Sequence, residues 1–304
     1  MTNIKNLTTE QQNPLTIDLD TFTPVRIARV MNSEDKHAVE AVEQQIPQIA
    51  QAIEWAGQAL QDGGRIIYIG AGTSGRLGVL DAVECPPTFG VNDNTVLGLI
   101  AGGEHAFIKA AEGVEDDCQA GARDLQEHKL TKKDLVVGIA ASGRTPYVIG
   151  ALHFANETGC KTVAIACNRA SEIGCCADLA IEPLTGPEVL SGSTRLKAGT
   201  AQKLILNMIS TGAMTCIGKV YKNLMVDVQQ TNEKLHSRAQ NIVREACSCS
   251  SAEAQTALEA AGGQVKTAIT MLLLNCSADK ALDILSECKG HVREAISKSM
   301  QADA

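Results

Sequence analysis

Residues 65–78 read R-I-I-Y-I-G-A-G-T-S-G-R-L-G. A short β-branched run feeds a glycine-rich turn, and the turn contains G-x-G-x-x-G, the fingerprint of a dinucleotide-binding loop. In that fold an acidic residue about 20 positions on ends the second strand and takes a ribose hydroxyl. The corresponding window here is F-G-V-N-D-N-T-V-L-G-L (89–99). Its acid, Asp93, precedes the next apolar run instead of ending it. The fingerprint fails in its context, so the loop is expected to hold something smaller than a dinucleotide.

The same run opens a rhythm. Apolar, β-branched segments recur at 65–70, 96–101, 135–140, 162–167 and 179–183, each bounded by Gly, Asp or Asn. The first three intervals have room for helices of ten residues or more, and the 167–179 gap for a short one at most. Strands alternating with helices predict a parallel sheet covered on both faces. Upstream, residues 33–62 carry apolar positions at helical spacing, and Pro47 is expected to divide them into two helices. Downstream, a long helix is expected over roughly 194–222. From about 250, Ala257-Leu258 with G-G-x-V-K-x-A-I (262–269) recurs as Ile284-Leu285 with K-G-x-V-R-x-A-I (289–296). Gly263 and Gly290 should each separate two helices, giving a small helical domain.

Composition narrows the partners. The 304 residues are 44% hydrophobic but only 3% aromatic, so the core must be built from Ala, Ile, Leu and Val. A formal charge of −8 argues against nucleic acid and anionic membrane surfaces. The start, M-T-N-I-K-N-L-T-T-E-Q-Q, has no apolar signal core, and I-T-M-L-L-L (269–274) is far too short to span a bilayer. The eleven cysteines show no zinc-type spacing; Cys175-Cys176 and Cys247-x-Cys249 are the close pairs. No metal site is expected, and reduced thiols suggest the cytoplasm.

Two loops carry the chemistry. Thr73, Ser74 and Gly75 place hydroxyls where a helix N-terminus favours an anion, although capping alone would account for them. A-A-S-G-R-T-P-Y (140–147) supplies a second such loop through Ser142, Gly143 and Thr145, with Pro146 as first helical residue behind a Thr cap. Loops after strands one and three meet at the carboxyl edge of such a sheet. Together they suit a compact phosphate monoester bearing a polyol.

These loops resemble those of the sugar isomerase (SIS) domain. More closely, G-T-S-G-R-L-G-V-L-D-A-V-E-C-P-P-T-F-G (72–90), A-G-G-E-H-A-F-x-x-A-x-E-G-V-E-D-D (101–117) and S-T-R-L-K-A-G-T-A-Q-K (193–203) resemble the N-acetylmuramic acid 6-phosphate etherase family. The resemblance covers nearly the whole chain, including N-E-K-L-x-x-R-A and the C-terminal repeat. It departs at Val83, where the family pattern implies a small polar residue. The implied fold is an SIS-type α/β five-stranded parallel sheet flanked by helices, with N-terminal helices and a C-terminal ubiquitin-associated-like (UBA-like) helical domain. The implied segments are 1–55 (N-terminal helices), 56–222 (SIS domain), 223–249 (connecting helix) and 250–304 (UBA-like domain).

The resemblance implies a sugar-phosphate substrate, a lyase reaction releasing D-lactate, and no metal or nicotinamide cofactor. It places catalysis on Glu84 and Glu115. Glu84 lies in V-E-C-P-P, where Pro86 and Pro87 are expected to turn the chain at a helix end. Glu115 is expected to share a helical face with Glu112 and Asp116. If one helix carries both Ser74 and Glu84, about 15 Å of axis separates them. Glu84 must then swing back or serve a second subunit, which makes a homodimer the expected state. Ser193 and Thr194, opening the long helix with Lys197 one turn in, are further candidates to contact the sugar or phosphate, against capping and a solvated lysine as the alternative. His236 is expected to lie on the surface. Two other classes stay open: a sugar-phosphate isomerase using one base, and a non-catalytic sensor such as the longer glucokinase regulatory protein. A sensor would not need both glutamates.

Overall fold

The computed structural model describes residues 7–109, 112–229 and 233–302. They form two compact units, one running up to Val83 and over Asp93–Ser210, the other comprising Glu84–Asn92 and the chain from Thr211 onward.

The first unit begins with α1 (Pro24–Glu43) and α2 (Ile46–Gln61). Thr23 caps α1 through its side chain and Pro24 stands in the first turn, so the helix starts earlier than the apolar spacing suggested. The break between the helices precedes Pro47, which sits in the first turn of α2, where its missing N–H costs nothing. The core elements follow as β1 (Ile66–Gly70), α3 (Gly72–Phe89), β2 (Val96–Ile100), α4 (Gly103–Ile108), α5 (Cys118–Glu127), β3 (Leu135–Ile139), α6 (Pro146–Thr158), β4 (Lys161–Ile165), α7 (Glu172–Cys176) and β5 (Leu179–Ile181). All five expected strands are present within two residues of their expected ends, and the short gap holds only the five-residue α7.

The strands form one parallel sheet in the order β2-β1-β3-β4-β5. Every residue of β1 and β3 is buried, as a sheet covered on both faces requires. Ile67, Ile69, Val136, Tyr147, Val148, Leu152 and Ala164 share one core cluster. Asp134 ties the entrances of β1 and β3 together, accepting from Arg65 Nη2 at 2.8 Å, Arg65 Nε at 3.1 Å and the Arg65 main-chain N–H at 2.9 Å. Burial pushes the Asp134 carboxyl up, but these bonds and the guanidinium charge outweigh it and hold the group below its ordinary range. The sheet reverses its winding between β1 and β3. That switch point opens a crevice beyond their carboxyl ends.

The long helix α8 (Lys197–Cys216) starts three residues later and ends six earlier than expected. The cause of the late start is a distant cap. The buried Glu188 carboxylate accepts from the N–H groups of Lys197 and Ala198 at 3.0 and 2.9 Å and fixes the first turn there. Lys197 is not solvated: it is 2% exposed, and its Nζ meets Glu34 Oε2 at 2.6 Å. Sequence spacing gave no sign of this pair because its members are 163 positions apart.

In the second unit a hairpin, β6 (Val220–Tyr221) and β7 (Leu224–Met225), precedes α9 (Glu233–Cys247), α10 (Ser251–Ala260), α11 (Val265–Leu274), α12 (Ala278–Glu287) and α13 (Val292–Ala302). Gly262, Gly263 and Gly290 fall between the paired helices with positive φ, as the repeat predicts. Val243, Leu258, Ile269, Leu285 and Val292 pack into a single core. The two repeats thus bury one shared apolar surface.

Candidate active site

The crevice at the switch point is a pocket of about 340 Å³. Thr73 and Ser74 line it from the β1–α3 loop, Ser142 and Thr145 from the β3–α6 loop, and Thr194 from the turn before α8. Glu10, Arg76, Glu112 and Glu115 complete its charged lining. Gly75, Gly143 and Ser193 are not in the wall. The first two shape it. A Cβ on Gly75 would stand 2.6 Å from the Gly70 carbonyl oxygen, so the tight return of α3 onto β1 admits only glycine. Gly143 has φ +75°, and a Cβ there would strike Ser171. The motif glycines therefore close a strand–helix turn, with no second-strand acid to receive a ribose.

The hydroxyls are not spent on capping. Helix α3 begins at Gly72, so Thr73 and Ser74 lie inside its first turn and not at a cap. Ser74 Oγ donates to Gln202 Oε1 at 3.0 Å. Thr145 does precede Pro146 at the start of α6, but its side chain makes no capping bond. Ser142 Oγ accepts from the Arg144 N–H at 3.3 Å. First-turn N–H groups, the positive end of α3 and several hydroxyls thus converge on one pocket, a suitable cradle for a phosphate.

The acids are arranged differently from expectation. Glu112, Glu115 and Asp116 do not share an α-helical face. Gly113, at φ +78°, interrupts the chain, and only Val114–Asp116 form a turn of 3-10 helix. Glu112 and Glu115 nevertheless both reach the pocket wall. Glu84 does not stand at a helix end. Helix α3 runs on to Phe89 with Pro86 and Pro87 inside it. The prolines fall in its last turn, where each removes one bond to a carbonyl four residues back, and the Gly90 N–H returns to the Pro86 carbonyl at 2.9 Å. Glu84 is exposed on that helix.

Spacing missed two pocket residues. Arg76 sits inside the opening motif and is the one cation lining the pocket among the described residues; its Nη2 and Nε donate to the Ala106 and Phe107 carbonyls at 2.7 and 2.9 Å, pinning α4. Glu10 comes from a 3-10 turn (Thr8–Glu10) fastened by Asn168, whose Oδ1 accepts from the Thr8 N–H and whose Nδ2 donates to Thr9 Oγ1. Only the fold brings that turn to the pocket. His236 is exposed, as expected. It lines a larger cavity, about 750 Å³, in the second unit. The charges there, Lys266 and Asp227, are closed on each other at 2.6 Å, so the smaller pocket with its converging hydroxyls is the better reaction site.

Residues 48–156 match the glucokinase regulatory protein N-terminal SIS domain, 118–211 the SIS domain, and 222–262 the C-terminal lid domain of glucokinase regulatory protein. An N-acetylmuramic acid 6-phosphate etherase from Lactobacillus johnsonii is 54% identical over 97% of this chain and 99% of its own. Another from Yersinia pestis is 56% identical over 95% and 98%. A solved phosphoheptose isomerase from Francisella tularensis aligns with 64% of this chain and 100% of its own, at 17% identity and a TM-score of 0.49. The identity to the etherases, sustained across almost the entire length, sets the isomerase and sensor alternatives aside: the chain belongs to the N-acetylmuramic acid 6-phosphate etherase family.

Proposed function

We infer that this chain cleaves the D-lactyl ether of N-acetylmuramic acid 6-phosphate, a lyase reaction of cell-wall amino-sugar recycling that yields N-acetylglucosamine 6-phosphate and D-lactate. The near-full-length identity to etherases carries this reading. In the ring-opened sugar the aldehyde acidifies the C2 proton. A base removes it, the C3–O bond breaks as an acid protonates the departing lactyl oxygen, and water then adds across the new C2–C3 double bond. The protein must supply two positioned proton-transfer groups.

We propose Glu115 and Glu84 for those two roles. Thr73, Ser74, Ser142 and Thr145 hold the phosphate and sugar hydroxyls, aided by Thr194, with Gly75 and Gly143 shaping the loops and Ser193 in the adjoining turn. Because α3 continues past Glu84, swinging back after a helix end is not open to that residue. This favours a homodimer in which Glu84 serves the partner's pocket. The exposed Leu80 and Val83 beside it, 47% and 58% accessible, suit a surface covered by a second copy. The valine that departs from the family pattern thus has a place in that contact. A sugar-phosphate substrate and eleven cysteines fit a cytoplasmic enzyme, and no described helix is long and apolar enough to cross a membrane. The four-segment division, with 223–249 linking the SIS domain to a UBA-like domain, is proposed on the same resemblance.

Turnover in H₂¹⁸O tests the reaction. Unlabelled D-lactate with ¹⁸O at the sugar's C3 is the expected result. Labelled lactate, or none, would overturn it.

A further inference from the structure

Gln202 is fully buried in α8, and its carboxamide faces the pocket hydroxyl of Ser74 at 3.0 Å. Ser74 itself is only 7% exposed, yet it lines the pocket. No described protein group pairs with Gln202 Nε2. A buried N–H left without an acceptor is rarer and less favourable than an under-used carbonyl oxygen. The amide has two nearly isosteric faces. With Oε1 toward Ser74, the serine proton is consumed and its oxygen can only accept. With the amide turned about its last side-chain torsion, Nε2 donates to Ser74 Oγ and the serine proton is free to donate. The turned state also moves the oxygen, which needs a partner less, into the position that offers Nε2 no acceptor.

We propose that Gln202 is a positioning residue for the sugar phosphate: its Nε2 donates to Ser74 Oγ and thereby aims the Ser74 proton into the pocket at an anionic phosphate oxygen. The proposal rests on the reading that the β1–α3 loop holds the phosphate. Gln202 touches no reacting atom, so its effect belongs to binding and not to the chemical step. An anion in the pocket is what selects the donating state, because an anion accepts from the serine proton and cannot use the serine lone pairs. The paired Gln202–Ser74 hydroxyl then behaves as one unit, silent unless both members are present.

The test compares Gln202→Met, Ser74→Ala and the double variant, using inorganic phosphate as competitive inhibitor alongside steady-state turnover of N-acetylmuramic acid 6-phosphate. Gln202→Met should raise the phosphate inhibition constant and KM about tenfold, the scale of one hydrogen bond to a charged group, with kcat within about threefold. The double variant should be no worse than Ser74→Ala, because the glutamine acts only through the serine. A merely structural glutamine would lower thermal stability and leave the phosphate constant unmoved. Gln202→Asn, too short to reach Ser74, gives the same reading if the methionine variant does not fold. The proposal is overturned if Ser74→Ala weakens phosphate inhibition while Gln202→Met and Gln202→Asn leave it unchanged, or if the two effects add. Should Ser74→Ala leave phosphate inhibition unchanged, the Ser74 hydroxyl does not hold the phosphate, and the proposal is overturned at its serine, while the reading of the loop then stands or falls with Thr73→Ala.

Discussion

Glu115 and Glu84 are presented by opposite kinds of structure. Glu115 rides on a three-residue 3-10 turn behind a left-handed glycine, in the wall of a pocket that the hydroxyl loops also line. Glu84 sits in the body of an eighteen-residue helix, exposed, beside exposed apolar side chains. A carboxylate on a short turn can adjust to substrate through a few backbone torsions. One locked into a helix can reach substrate only if the whole helix, or another molecule, brings the two together. The contrast suits adjustability in one of the two proposed proton-transfer groups and rigid-body delivery in the other. Glu34 supplies a third case, a carboxylate buried for structure: it receives Lys197 Nζ and Asn13 Nδ2 at 2.6 and 2.7 Å.

The largest expected effect falls on both proposed catalytic groups. Glu115→Gln and Glu84→Gln should each lower kcat by about 10²–10⁴ with the fold intact, the usual range for losing an acid or base. Proton exchange at C2 in D₂O separates their roles: the variant that still exchanges lacks the acid, and the one that does not lacks the base. Near-normal turnover in either variant would break the comparison. Next in size is the structural carboxylate. Lys197→Met leaves the buried Glu34 without its lysine, and should cost about 3–5 kcal/mol of stability in urea unfolding. A loss under about 1 kcal/mol would show the pair to be solvated after all.

The adjustable glutamate should also depend on the glycine before it. Among the described residues nothing lies within 4 Å of a Cβ built on Gly113, so Gly113→Ala should strain chiefly the backbone, by about 1–2 kcal/mol. Turnover should fall about tenfold as Glu115 is displaced, since small misplacements of a reacting group are costly. Unchanged turnover would mean that the turn does not set the position of Glu115.

The smallest effect is the acid response. Burial raises the Glu34 carboxyl, but Lys197, Asn13 and His37 together outweigh it and hold the group below its ordinary value. Its stabilisation is therefore whole above the unfolded carboxylate value, about pH 4, and is lost as pH falls through the lower folded value. Asp134 behaves alike. Glu188 works in the other direction. Burial raises it despite the two N–H groups it caps, so its contribution is favourable in acid and is lost as pH rises through the folded value. Urea midpoints should decline below about pH 4, and less steeply in Glu34→Gln. A steeper decline in that variant would contradict the assignment.

What the sequence revealed follows from which forces are local. The strands were legible because β-branched runs such as Ile66–Gly70 and Leu135–Ile139 must be buried on both faces. The meeting of the two hydroxyl loops was legible because a parallel sheet with helical crossovers has one carboxyl edge. The continuation of α3 through Pro86 and Pro87 was not, because proline's local preference was outweighed in a helix closed by the Gly90 N–H. Nor was the burial of Lys197, the cap from Glu188, or the arrival of Glu10 at the pocket. Each depends on contacts between chain segments that spacing alone does not relate.

Mixing two inactive variants tests the contrast most directly. Glu84→Gln and Glu115→Gln chains, differently tagged and co-expressed, should form mixed dimers in which one site keeps both glutamates. Activity should return to about a quarter of wild type in an equal mixture. A mixed dimer as inactive as either parent would mean that both glutamates serve a site within one chain, and the division between adjustable and delivered groups would fall.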